Sequence, residues 1–127
     1  MNRIRVLVKE PGKPAEVREI ENTLEGFRSI VGGHIEALHI TDSLACYIHE
    51  EGKLIKLAPN FVIPTYSAAG FDIICGTAVF FRSDGEGNET SLTFTDIIYC
   101  NLFTRKFDVS NFIFNGNSPL RFHKEPH

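Results

Sequence analysis

Ile4, Val6 and Val8 alternate with Arg5, Leu7 and Lys9, and this period of two predicts a β-strand with one mainly apolar face. Glu10-Pro11-Gly12-Lys13-Pro14 breaks it, because proline denies a ladder donor and glycine supplies turn dihedrals. Residues 15–20 alternate again around Val17 and Ile20, so the two runs predict a hairpin. Leu24, Phe27, Ile30 and Val31 recur at helical spacing behind Asn22, which with Glu25 three residues on predicts a capping box. Gly32-Gly33 stops that helix. Residues 34–40 then predict a third strand, 41–43 a turn, 44–49 a fourth strand and 50–53 a polar turn. The order is β-β-α-β-β.

Residues 54–57 are apolar but too short to separate a helical turn from an extended connection. Residues 71–81 form the most hydrophobic run. Their β-branched and aromatic content predicts one central strand, interrupted or bulged at Gly76. Residues 84–89 read as a flexible turn. Thr93 and Asp96 open a second helix, with Phe94, Ile97, Ile98 and Phe103 expected on one face. Residues 107–122 carry Phe112, Ile113 and Phe114 between polar clusters and predict an extra strand or ordered arm, then a frayed tail. The whole reads as an α+β fold with a mainly antiparallel sheet.

A length of 127 residues fits one domain spanning 1–127, large enough for a core without disulfide or metal staples. The net charge of −3, with signs mixed along the chain, argues against a double-stranded nucleic-acid partner, which calls for a basic patch. No apolar run approaches the roughly 18 residues that cross a bilayer, and Arg3 and Arg5 sit inside a strand pattern rather than a signal peptide. The expectation is a cytoplasmic protein without a membrane partner. Cys46, Cys75 and Cys100 are odd in number and widely spaced in apolar surroundings, which predicts buried free thiols. One feature departs from the ordinary: 11 Phe stand against 3 Tyr and no Trp, most of them in the second half.

Candidate chemistry is sparse. Of the five histidines only His49 lies near a cysteine, Cys46, and no second ligand pair completes a zinc site, so neither metal nor cofactor is expected. Nucleophile elbows, Walker loops and Rossmann glycines are missing, and Gly32-Gly33 follows a helix instead of preceding one. Adjacent Glu50 and Glu51 point apart. Asp72 either caps a turn or offers a fixed acceptor to a ligand hydroxyl; Arg82 either ends a strand at the surface or pairs with phosphate. Phe80 and Phe81 fall on opposite faces, which suits core packing or leaves one as a stacking surface.

Taken in order, Arg3-Ile4-Arg5-Val6-Leu7-Val8-Lys9-Glu10-Pro11-Gly12, Glu19-Ile20-Glu21-Asn22-Thr23-Leu24-Glu25, Ile30-Val31-Gly32-Gly33-His34-Ile35-Glu36, His49-Glu50-Glu51-Gly52-Lys53-Leu54, Pro59-Asn60, Asp72-Ile73-Ile74-Cys75-Gly76-Thr77 and Ser91-Leu92-Thr93 resemble a family of short uncharacterised proteins. That family is frequent in phages and mobile elements of Gram-positive bacteria. The resemblance covers residues 3–100 and leaves 101–127 as a C-terminal extension. His49 stands where the family usually has Asn, and Phe61 where Arg often follows Pro-Asn, so roles of those positions do not carry over.

Phage proteins of this size include oligomeric sponges for nucleotide immune signals such as cyclic ADP-ribose isomers. By that analogy the expected function is non-enzymatic sequestration of a nucleotide ligand in a pocket between subunits of a homo-oligomer. The candidate ligand-binding residues are His34 and Glu36 after the diglycine, His49, Glu50 and Lys53 at the next turn, and Asn60, Asp72 and Arg82. Lys53 and Arg82 would meet phosphates, Asn60 and Asp72 base or ribose edges, and the histidines either. Two alternatives stand beside it. One is a hydrolase of such a signal, using His34 or His49 with Glu36 or Glu50. The other is a module that binds a host protein through its Phe-rich end. Phe107, Phe112 and Phe114 are expected at an oligomer contact or pocket wall.

Overall fold

The computed structural model describes residues 2–64, 70–113 and 121–122. The elements are β1 (Arg3–Lys9), β2 (Glu16–Glu21), α1 (Leu24–Val31), β3 (Ile35–His39), β4 (Leu44–His49), β5 (Pro59–Pro64), β6 (Phe71–Cys75), β7 (Ala78–Ser83), β8 (Glu89–Thr90), α2 (Phe94–Lys106), a 3₁₀ turn (Val109–Asn111), β9 (Phe112–Ile113) and β10 (Arg121–Phe122). The main sheet runs β2-β1-β7-β4-β3, with β8 also paired to β7, and every pairing is antiparallel. Separate antiparallel ribbons join β5 to β6 and β9 to β10. The fold class is α+β.

Strand parity gives the sheet two buried faces. Ile4, Val6, Val8, Ala45, Val79 and Phe81 project to one side, where Phe27 and Val31 of α1 cover them. Leu7, Leu44, Cys46, Ile48, Ala78 and Phe80 project to the other, under Phe61, Ile74 and Cys100 from the β5–β6 ribbon and α2. β7 lies in the middle with apolar neighbours on both sides, which is why residues 78–81 show no alternation. Phe80 and Phe81 are therefore both spent on packing. Phe80 stands 5.8 Å from the Phe61 ring and Phe81 5.7 Å from the Phe27 ring, and neither is left as a stacking surface.

Three expectations change. The run 71–81 is not one strand: Gly76, at φ 93°, turns the chain from the ribbon into the main sheet, and β6 and β7 belong to different sheets. One long buried strand and a half-buried strand followed by a buried one look alike when only hydrophobicity is read. The α1 cap is Thr23, whose side chain accepts from Gly26 N at 2.9 Å, because Asn22 is held by its own backbone and by Glu89 O. The one-residue shift puts Gly26 where a capping box needs a carboxylate. Third, α2 turns Asp96, Cys100 and Thr104 inward with Ile97 and Phe103 beside them, while Phe94 and Ile98 face outward. Its start does hold a complete capping box between Thr93 and Asp96.

Phe112 is buried with its ring 5.4 Å from Phe71, and Phe107 packs 5.0 Å from Phe103. Phe114 and the tail expected after it lie outside the described residues, apart from β10. No helix among the described residues is long and apolar enough to cross a membrane.

Candidate functional site

One cleft of about 330 Å³ gathers five of the candidate residues from three segments: Glu36 on β3, His49, Glu50 and Lys53 at and after the end of β4, and Asp72 on β6. Register explains the first part. Glu36 pairs with Ile48, so its carboxylate lies on the same sheet face as Ile48 and Leu38, at the open edge. Glu50 N donates to His34 O at 2.9 Å and closes the hairpin end. The chain then coils through residues 50–57, with Ile55 N bonded to Glu51 O and Leu57 N to Gly52 O. This coil contains residues 54–57, whose apolar run is too short to assign from sequence alone.

The coil presses against β6 because residue 52 has no side chain: a Cβ there would run into the carbonyl of Cys75. That contact brings the Lys53 ammonium onto the Asp72 carboxylate. Leu54, 76% exposed, forms an apolar lip, and Ile73 and Ile74 contribute further apolar wall.

His49 is committed to backbone. Its Nδ1 accepts from Glu51 N at 3.0 Å, so that nitrogen carries no proton, and its ring edge at Nε2 abuts Gly33, where a side chain would collide. The ring thus has no lone pair left to take a proton from a substrate. Cys75, also in the wall, is pushed up from the ordinary thiol range chiefly by burial, with Asp72 adding to the rise and Lys53 opposing it. A thiol held protonated is a poor nucleophile. Four carboxylates, Glu36, Glu50, Glu51 and Asp72, face one ammonium, so the cleft can accept hydrogen bonds from several hydroxyls or amines while offering a single cation to an anion.

The remaining candidates lie elsewhere. His34 is exposed outside the cleft and contributes its carbonyl to the hairpin end. Asn60 is fully buried, its amide donating to Lys9 O and Gly76 O and its Oδ1 accepting from Lys9 Nζ. Every polar atom of that side chain is used inside the fold. Arg82 makes a bidentate pair with Asp96 at 2.8 and 3.1 Å. That hydrogen bond and charge raise the guanidinium pKa; for Asp96, burial pushes up but Arg82 and the Thr93 cap outweigh it and hold the carboxyl low.

Sequence reasoning passed over Lys9. It is 2% exposed, with its ammonium 3.0 Å from Glu10 O, 3.0 Å from Asn60 Oδ1 and 3.2 Å from Asp108 Oδ2. The signal was parity, since position 9 shares the face of Leu7. Glu51, Leu54 and Ile73 of the cleft also went unmarked. Among the described residues no three His, Cys, Asp or Glu side chains come together as a metal site. Comparison with known proteins finds no matching curated protein and no matching solved structure. A family model described as a domain of unknown function matches residues 4–108.

Proposed function

The chain belongs to the DUF3846 family, a domain of unknown function, and from that premise we propose that it is a non-enzymatic binding protein for a nucleoside-type ligand carrying no more than one phosphate. The observation that carries this reading is the cleft itself. Carboxylates of Glu36, Glu50 and Asp72 suit ribose hydroxyls and base amines, Leu54 and Ile73 offer an apolar surface to a base, and Lys53 can meet one phosphate. A volume of about 330 Å³ lies at the small end of ligand sites and fits one nucleotide unit better than a cyclic oligonucleotide. The acidic excess disfavours a polyphosphate.

The resemblance to short phage and mobile-element proteins supports sequestration of a nucleotide immune signal as the biological use. Hydrolysis is the weaker reading, because the Nδ1 lone pair of His49 is engaged by the Glu51 N–H and His34 lies outside the cleft. Calorimetric titration with adenosine monophosphate, ADP-ribose, cyclic ADP-ribose isomers and cyclic dinucleotides tests the proposal. Binding of a single-nucleotide ligand, weakened at least tenfold by Asp72→Asn and recovered unchanged after heat release, is the expected result. No binding of adenosine monophosphate, or tighter binding of the ligands that carry two phosphates, overturns it, and recovery of a cleaved product overturns it in favour of hydrolysis.

A further inference from the structure

Helix α2 is apolar on both sides. Its inner face is packed on the sheet, yet Phe94 is 79% exposed, Ile98 44%, Tyr99 46% and Leu102 58%. A helix that is apolar all round is normally covered all round. The four outer side chains present on the order of 400 Å² of apolar surface, within the range of the largest patches on monomers, which are often functional.

The stripe is also complementary to itself. Phe94, the most exposed of these side chains, is a knob at one end; at the other, Tyr99, Leu102, Phe103, Lys106 and Phe107 line a hollow of about 260 Å³. Phe94 and Leu102 each stand four residues from Ile98. A two-fold axis through Ile98, with the helices antiparallel, carries the Phe94 ring of each copy to the Leu102 hollow of the other. Residues 94, 98 and 102 form one i±4 ridge, the kind that interdigitates when two such helices cross at about −50°. An isologous interface requires knob and hollow on the same surface at matching distances from an axis, and this helix has them.

Charge and area agree. The exposed cations Arg105 and Lys106 sit at one end of the helix and are kept apart by the antiparallel arrangement, while Asp96 is turned inward onto Arg82. The outer side chains of two copies remove about 800 Å². The second groove beside α2, where Thr41, Ser43 and Thr95 meet Ile98, adds no more than about 200 Å² over two copies, so the total is about 1,000 Å², the scale of a weak, concentration-dependent interface.

We propose that the outer face of α2 is a two-fold dimer interface in which Phe94 of each copy fills the Tyr99–Leu102–Phe107 hollow of the other. Sedimentation equilibrium of the full chain from 1 to 100 µM tests it. The wild-type chain is expected at twice its 14.3 kDa mass at the upper concentrations. Leu102→Glu and Ile98→Glu should each raise the dimer dissociation constant more than 100-fold with unchanged circular dichroism, and Phe94→Ala more than tenfold. Val17→Glu, an exposed apolar position on β2, should leave the dimer intact. A wild-type monomer at 100 µM overturns the proposal. Alkylation of Ile98→Cys then shows whether another part of this chain covers the face, which protects the thiol, or whether the face stands open, which leaves it free to react. A dimer that survives both glutamate substitutions overturns it as well.

Discussion

The ammonium of Lys9 lies 3.0 Å from the side-chain oxygen of Asn60, and the Asn60 amide returns a 2.8 Å bond to the Lys9 carbonyl. With the partly exposed Asp108 as counter-ion, this reciprocal, almost wholly dry pair ties β1, the β5–β6 ribbon and the turn after α2 together. A buried charge is tolerable only while all its donors are matched, and here three acceptors meet three N–H groups. Asn60 also grips the carbonyl of Gly76, next to the cleft wall at Cys75.

Removing one partner should therefore cost more than the bonds alone. Asn60→Ala strips the ammonium of one acceptor and leaves two buried carbonyls unpaired, for a loss of about 3 kcal/mol. Lys9→Met keeps the volume, and because Asp108 is partly open to water its carboxylate can rehydrate; about 1–2 kcal/mol is expected. Urea denaturation of both variants and of the double mutant measures the coupling, and near-additive losses would contradict a shared network.

The pH dependence has a definite sign. For Asp108, burial raises the pKa, but the Ser110 backbone and side-chain bonds and the Lys9 charge more than offset it, so the folded pKa lies below the ordinary 3.8. Asp96 behaves in the same direction. A depressed carboxyl stabilises the fold above its unfolded pKa, and that contribution disappears as pH falls through the folded value. The urea midpoint should hold between pH 5 and 7, then drop below about pH 4. Asp108→Asn should start lower at neutral pH and fall less on acidification, so the two curves converge near pH 2; parallel curves would exclude this origin.

Much of this architecture was legible along the chain. Residues 44–49 form a short apolar run with turn residues on both sides, and β4 occupies that span. Thr93 and Asp96 read as a cap and an acidic first turn, and in the structure the two close into a complete capping box. The break at Gly76 was not legible as a change of sheet, because the distinction between a bulge and a crossover rests on long-range pairing. In the candidate site, Glu36, His49, Glu50, Lys53 and Asp72 were marked from local turns, and the β3–β4 register and the Gly52 contact bring them into one cleft. Asn60 and Arg82 were marked by the same polar character, but their partners, Lys9 and Asp96, are distant in sequence.

The three thiols should separate by reactivity. Burial pushes Cys46 up strongly and Cys100 up to about 12, and both side chains are enclosed by core residues. Cys75 is only half-buried, on the cleft wall. Alkylation at pH 8 followed by mass spectrometry should label Cys75 alone in the native protein, slowly, and all three in urea. Equal labelling of Cys46 or Cys100 before unfolding would contradict the packing of β4 against α2.

The cleft depends on Gly52 more than on any charged side chain, since the coil of residues 50–57 can lie against β6 only while nothing projects between it and the Cys75 carbonyl. That obstacle is backbone, held in the β5–β6 ribbon by Pro59 and fixed further at Gly76 N by Ala58 O, so it cannot swing aside as a side chain would. Gly52→Ala should displace the coil, part Lys53 from Asp72 and open the cleft, at about 1–3 kcal/mol. The core under α1 is remote from the change and should keep its structure. Amide exchange reads the difference: protection should fall at Leu57, whose N–H bonds Gly52 O, and at Gly76, while Val6 and Val8 in β1 keep theirs. Uniform loss across β1 and β7 would mean that residue 52 supports the whole fold rather than the cleft.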